Sequence, residues 1–325
     1  SLDIAVNLKL GWDAQNYWII KSLNFFNGGN IVDLQNLPRP DYPHFGSYLW
    51  AVFRSVSLLD HEYFGRIFYL FIFLSSIYSV SNYIETSEFR KLLVFILLVV
   101  VLNNDYLFNG YQEVLVFSYA SIIGCLLLEN YKKVYKLKNI VNLLMCFFII
   151  FWLKNEAVIF SLILFFSIII YNLDLRNKSI FFLLFFLTLI VLRILIIKIF
   201  GLETNFQSGN YESFALKNLG NYISLNRILV IIKYTIISII KVPITLILFI
   251  GLILNYFYNP NRLTKIMSLN FTLSLLFIFT AYIFTNFPIE FHLATSMDRL
   301  VFQFAGFNII IIISLLNNLI NKKII

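Results

Sequence analysis

The carboxylates of Asp13, Glu113 and Glu156 and the cations of Lys154 and Arg299 stand at the borders of long apolar runs, with His292 able to act as either partner. This combination suits group transfer from a phosphate-linked donor. A carboxylate takes the proton of an attacking hydroxyl while cations stabilise the phosphate that leaves, and general base catalysis alone contributes about 10² to 10⁴-fold. A lipid-borne phosphate donor would also explain why such a site stands in a membrane.

The first acid opens the segment Trp12-Asp13-Ala14-Gln15-Asn16-Tyr17-Trp18-Ile19-Ile20-Lys21, where Asp13, Tyr17 and Lys21 recur every fourth residue and share one helical face. Trp18, Ile19, Leu23, Phe25 and Phe26 would enter a membrane interface from such a helix; a solvated helix with Asp13 as its N-terminal acid fits the same spacing. Pro40-Asp41-Tyr42-Pro43-His44 then makes a rigid turn, followed by an aromatic amphipathic stretch from Phe45 to Leu59 that carries Arg54. Two surface helices joined by this turn would form a shelf over the bilayer. His44 either touches a ligand or caps the turn in solvent, and His61 offers less. Lys154-Asn155-Glu156 connects two apolar runs with almost no loop between them. A charge at membrane depth costs about 2.5 to 3.5 kcal/mol at a helix centre and less near its ends, so Lys154 should face a cavity or a partner such as Glu113 or Glu156. The stretch from Glu290 to Arg299 is equally dense in polar groups, with Asp298 beside Arg299 able to cap and anchor a helix.

The elements that must hold these residues are membrane helices. The 325 residues are 60% hydrophobic and 13% charged, with 36 Phe and 19 Tyr, which excludes an ordinary soluble domain. The mean hydropathy is +0.82. The formal charge of +8 reflects basic loops rather than a nucleic-acid partner. Cys125 and Cys146 lie inside apolar runs without metal-ligand spacing, so neither a disulfide framework nor a zinc site is expected. No Walker A or G-x-G-x-x-G sequence is present to bind a nucleotide.

A span of about 20 apolar residues per helix gives about nine spans, near 64-84, 91-104, 112-129, 139-153, 156-172, 179-200, 228-257, 267-286 and 300-319. The seventh is too long for one pass, and Pro243 with Lys233 and Lys241 before it predicts a kinked or interfacial approach helix entering the membrane at about 242. Arg90 and Lys91, then Lys132, Lys133, Lys136 and Lys138, then Arg176 and Lys178, then Arg262 and Lys265, then Lys322 and Lys323 mark alternate loops as cytoplasmic. The polar sites then all fall on the opposite, extracytoplasmic side. The expected architecture is all-α, a single polytopic transmembrane bundle over 1-325, with 1-62 as the first extracytoplasmic loop carrying amphipathic surface helices and 63-325 as transmembrane helices and short loops. An odd number of spans, and a start at Ser1 rather than Met, lead us to expect one more helix before the first residue.

In these blocks the sequence resembles the GT-C superfamily of polytopic glycosyltransferases, which includes the protein O-mannosyltransferases and bacterial aminoarabinose and lipopolysaccharide-core sugar transferases. The resemblance runs in scattered blocks over most of the chain. Trp12-Asp13 is similar to the early acid of the family's large first outer loop, Tyr17 to Lys21 to the aromatic and Lys stretch after it, Asp41-Tyr42-Pro43 to its Tyr-Pro segment, and Glu113 to a second acid at the outer end of a later span. The Lys154-Asn155-Glu156 and His292 to Arg299 blocks resemble motifs of a bacterial subgroup. Gln112-Glu113 departs from the Asp of many members, and the large soluble domain of some members is not expected within these 325 residues.

The resemblance implies inverting transfer of a sugar from a polyprenyl-phosphate donor to a lipid, glycan or protein hydroxyl, at the outer face of a bacterial plasma membrane. Asp13 would be the base; Glu113 would orient the acceptor or a cation; Lys154, Arg299 and His292 would hold the donor phosphate. Tyr17, Lys21, Tyr42, His44, Glu156 and Asp298 would support them. Some relatives use a divalent cation and others do not; the sequence has no compact ligand cluster, so no obligate metal or other cofactor is expected. The reading requires Asp13, Glu113, Lys154 and Arg299 to converge. Two alternatives compete: a lipid-linked glycan polymerase or ligase, which would need paired arginines in a large late loop where 201-227 has Lys217 and Arg227 far apart, and a transporter or flippase lined by charges such as Arg193, Lys198 and Lys233.

Overall fold

A computed structural model describes residues 9-57, 61-84, 86-130, 137-171, 179-202, 223-258, 262-285 and 288-322. Lys132, Lys133, Lys136, Arg176, Lys178, Lys217 and Lys323, on which part of the loop assignment rests, lie outside the described residues. Among the described residues there are thirteen α-helices and no strand.

Two short helices precede the long ones. Helix α1 (Ile19–Phe26) continues from a π-helical turn over Ala14–Trp18, and α2 (Phe45–Val56) packs back on it across the Pro-rich turn. The apolar runs then form α3 (Tyr63–Asn82), α4 (Glu88–Val101), α5 (Glu113–Asn130), α6 (Leu137–Phe151), α7 (Asn155–Tyr171) and α8 (Ser179–Ile199). Five more follow: α9 (Leu225–Lys241), α10 (Pro243–Tyr258), α11 (Arg262–Ile283), α12 (Ile289–Asn308) and α13 (Ile310–Lys322). By length and composition, α3, α8 and α11 can each cross a membrane. Two bent pairs bring the number to five: α9 with α10 at 97°, and α12 with α13 at 42°. Helices α5, α6 and α7 are apolar but shorter. The 97° bend falls at Pro243, whose missing N–H and fixed φ suit the first position of a new helix and end the one before it.

The pairing that sets the site is α5 against α12. Phe302 stacks on Phe117 at 4.6 Å and 11°, and one turn further the Ser121 hydroxyl donates to the carbonyl of Gly306 at 2.8 Å. Gly306 permits this approach, because a Cβ there would stand 2.2 Å from the Phe117 carbonyl oxygen. The same two rows of side chains, followed upward, end at Arg299 on α12 and Glu113 on α5. Helix register and site geometry are therefore one property.

Gly306→Ala tests it with a sign reversal. In a helix interior this change ordinarily stabilises by about 0.8 to 1.0 kcal/mol, whereas overpacking a close contact destabilises by about 1 to 3 kcal/mol. We expect a lower melting temperature in detergent for Gly306→Ala. Gly251→Ala serves as the contrast, since its Cβ would meet no backbone, only the side chains of Leu315 at 3.2 Å and Ile311 at 3.3 Å. Equal behaviour of the two variants would show that the α5–α12 contact yields freely.

Candidate functional site

Asp13 reaches the bundle because the chain before it is pinned. The Gly11 amide donates to the carbonyl of Asn109 at 2.8 Å, and the Trp12 amide donates to the Tyr111 hydroxyl at 3.2 Å. A buried Arg66 on α3 clamps both strands of this crossing: it binds Glu62 through two bonds of 2.9 Å and donates to the carbonyls of Lys9 and Phe108 at 3.2 and 3.1 Å. Tyr111 then lies under Arg299, with the guanidinium carbon 4.8 Å from the ring centroid.

Four charged groups from four distant segments meet here. Arg299 pairs with Asp13 through Nη1 and Oδ2, and the same Nη1 lies 3.4 Å from Glu113 Oε1. Lys154 Nζ donates to that Oε1 at 2.8 Å. Two carboxylates and two cations thus balance each other. They are graded in depth: the Glu113 side chain is 0% exposed and Lys154 5%, whereas Arg299 and Asp13 are 14% and 16% exposed. Asp13 is the acid an outside molecule reaches first. Glu113, on the first turn of α5, holds both cations in place from below, and Lys154 takes Glu113 rather than Glu156 as its partner.

The remaining candidates sit around the four. Tyr17 lies edge-on to Trp12 and Tyr42 at 5.5 and 5.8 Å, and its hydroxyl is pushed up by burial and then by Asp13. Tyr42 stacks on the buried Trp18 at 5.6 Å and carries the Arg39 guanidinium 4.0 Å above its ring. Burial again raises its hydroxyl, with Glu156 adding to the rise and Arg39 and Lys154 opposing it. Glu156 stands on the first turn of α7, half-buried. His292 shares a hydrogen bond between Nδ1 and the Thr285 hydroxyl at 2.8 Å and lies edge-on to Tyr282 at 5.0 Å, nearly two turns from Arg299 along α12. Asp298 turns the other way, accepting from Ser238 at 2.5 Å and Lys241 at 2.8 Å, and so ties α9 to α12.

Two expectations require correction. Lys21 does not lie on a solvated face with Asp13: it is fully buried and donates to the carbonyls of Arg39 at 2.6 Å and Tyr42 at 3.1 Å. The π-helical turn between Asp13 and Lys21 breaks the simple four-residue repeat. Lys21 instead stabilises the turn in which Arg39 takes a left-handed φ of 52°. Burial brings its ammonium down to about 7, with Asp41 opposing and Arg39 assisting. His44, expected to touch a ligand or to cap the turn in solvent, makes no side-chain cap; its ring lies between Phe25 at 5.9 Å and Trp152 at 6.2 Å.

Burial, followed by the nearby cations Lys21 and Arg193, holds the His44 imidazole down to about 4. Unfolded histidine titrates near 6.5. Between pH 6.5 and 4 the unfolded chain therefore binds more protons than the folded one, and stability rises with pH in that window. The stabilisation is complete above 6.5 and is lost as pH falls through 4. Melting curves in detergent from pH 7.5 to 4 should drop more steeply for the wild type than for His44→Gln. Parallel curves would remove His44 as the cause.

Arg66, Arg193 and Arg227 were not assigned structural work by the sequence reading. Arg227 donates to the carbonyls of Tyr282 and Thr285 at 3.1 and 2.5 Å, closing the end of α11 beside His292. Arg66 carries a signal in its four-residue spacing from Glu62 at the start of an apolar helix, and Arg193 in being a charge within an apolar run. Among the described residues, no group of three or more His, Cys, Asp or Glu side chains is placed to hold a metal ion. Set against protein-family models, curated proteins and solved structures, the chain matches none of them.

Proposed function

We propose that the chain is a GT-C type glycosyltransferase that moves a sugar from a polyprenyl-phosphate donor to an acceptor hydroxyl at the extracytoplasmic face of a plasma membrane. The observation that carries the reading is the meeting of Asp13, Arg299, Glu113 and Lys154, with the most exposed acid paired to the most exposed cation. Nine passes accommodate α3 to α13 when each bent pair counts as one, and α1 and α2 lie along the outer surface as the shelf of the first loop.

In this reaction the Asp13 carboxylate accepts the proton of the acceptor hydroxyl as its oxygen bonds to the anomeric carbon. The bond from that carbon to the phosphate oxygen breaks, its electron pair stays on the phosphate, and polyprenyl phosphate leaves with the sugar inverted. Pairing with Arg299 holds the Asp13 carboxylate at the edge of the cluster before the acceptor arrives, and the arrival of an anionic donor gives Arg299 a competing partner. Glu113 is a positioning residue: it lies too deep to meet the acceptor and fixes Lys154 and Arg299 relative to each other.

The test is consumption of donor lipid. Membranes containing the protein are supplied with a radiolabelled polyprenyl-phosphate sugar pool and a mixed acceptor extract. Release of polyprenyl phosphate above the Asp13→Asn background supports the reading; no release from any donor pool by folded protein overturns it.

A further inference from the structure

Of the three single helices long and apolar enough to cross a membrane, α8 has the highest mean hydropathy, 3.1 over its best window, and only 17% of that window is buried. An arginine interrupts it. Arg193 stands six residues before Ile199, roughly 9 Å below the helix end at 1.5 Å per residue. A guanidinium in such a helix is expensive unless something neutralises or solvates it. Its guanidinium donates to the Asn155 side-chain oxygen at the start of α7 and lies 5.9 Å from the Phe151 ring centroid. Neither contact carries a negative charge. Asp41 and Glu156 act on Arg193 electrostatically, yet neither comes within ion-pair distance, and Asp41 is paired to Arg39 at 3.2 Å.

The surroundings explain what is left open. The lower half of α8 is wedged onto the bundle by Phe182 against Phe165 and Phe186 against Phe147. Above that wedge α8 stands away from α7, leaving a groove of about 260 Å³. Val158 and Ile159 form one wall, Ile190, Ile194 and Ile197 the other, and Arg193 and Asn155 are its polar groups. It is an apolar trough with one cation, on the bundle's lipid-facing side.

The geometry points to a binding site for a membrane lipid with an anionic phosphate, its headgroup on Arg193 and a hydrocarbon chain in the α7–α8 groove. An arginine has five donors in a planar fork that matches a phosphate, and Asn155 occupies one of them. Charge complementarity selects the phosphate, and the isoleucine walls select a chain attached to it. Arg193 is not one of the cations of the Asp13 and Glu113 cluster, which already have carboxylate partners, although Asn155 directly follows Lys154 in the chain. The inference stands without the transferase reading.

Native mass spectrometry of the full chain, exchanged into detergent with a defined added lipid, tests it directly. The wild type should retain dioleoyl phosphatidylglycerol at least about tenfold better than dioleoylglycerol, and inorganic phosphate should not displace it. Arg193→Leu should lose that preference and Arg193→Lys should keep part of it, since an ammonium retains charge without the fork. Ile194→Trp, which fills the groove and leaves the charge alone, should also reduce retention, so the test survives a failure of Arg193→Leu to fold. Undiminished retention by Arg193→Leu and Ile194→Trp, equal binding of dioleoylglycerol, or displacement by inorganic phosphate would each overturn the site. The readout is lipid retention alone, which keeps the outcome independent of any transferase assay.

Discussion

Asp13→Asn should lower kcat for polyprenyl-phosphate release by about 10² to 10⁴-fold while leaving the KM for donor lipid unchanged or lower. The split follows from the pairing. Asparagine keeps the shape of the side chain and cannot take a proton at neutral pH, so the chemical step loses its base. It also frees Arg299 from its carboxylate partner at the mouth of the site, and a freed guanidinium competes better for the donor phosphate. If Asp13 served only to hold Arg299 in position, its loss would raise KM and leave kcat within a few-fold, and Asp13→Glu would then recover binding rather than turnover. Stability is a poor explanation for a large effect, because Asp13 lies at the edge of the cluster and one residue from the exposed Trp12. Steady-state kinetics over donor concentration separate these cases.

The helices were legible in the sequence because apolar runs bounded by charge, Pro and Asn leave few alternatives: 179-200 was read where Ser179–Ile199 lies, and 139-153 where Leu137–Phe151 lies. The break at Pro243 was legible for the same reason, since proline acts locally. Length is a different property. Helices α5, α6 and α7 have apolar sequences but fewer residues than a simple crossing needs, so composition identified them more surely than it measured them.

The candidate site was legible as a set of residue types at helix borders, while its pairings were not. Asp13 and Arg299 are 286 positions apart, and no spacing rule links them. The largest misreading, Lys21, had a physical cause. Its partners are the backbone carbonyls of Arg39 and Tyr42, and a sequence does not display where carbonyls point. Arg66 and Arg227 escaped for the same reason, as both close chain crossings through carbonyl oxygens. Lys21, Arg66 and Arg227 hold backbone together through carbonyl oxygens, whereas cations that meet carboxylates are open to inference from charge.

Glu113→Gln should be the most destabilising single change at the site, and Lys154→Met should partly rescue it. The carboxylate is fully buried and lies against two cations, Lys154 at 2.8 Å and Arg299 at 3.4 Å. Removing its charge leaves two like charges facing one oxygen in a desolvated setting. Breaking a buried pair from one side destabilises by about 3 to 5 kcal/mol, much of it the burden of the stranded partner. Deleting that partner as well removes the burden: the Lys154 chain becomes an apolar side chain of similar length, and Arg299 keeps Asp13. A double-mutant cycle on unfolding in detergent should therefore give a coupling energy of about 1 to 3 kcal/mol, with the double variant more stable than the sum of the single changes predicts. The same proteins should separate fold from chemistry. If Glu113 acts by positioning and Lys154 holds the donor phosphate, as proposed, Glu113→Gln/Lys154→Met should regain stability without regaining turnover. Additive single and double changes would mean that Glu113 and Lys154 are held by the backbone independently of each other, and the depth-graded cluster would then be a consequence of helix packing rather than its cause.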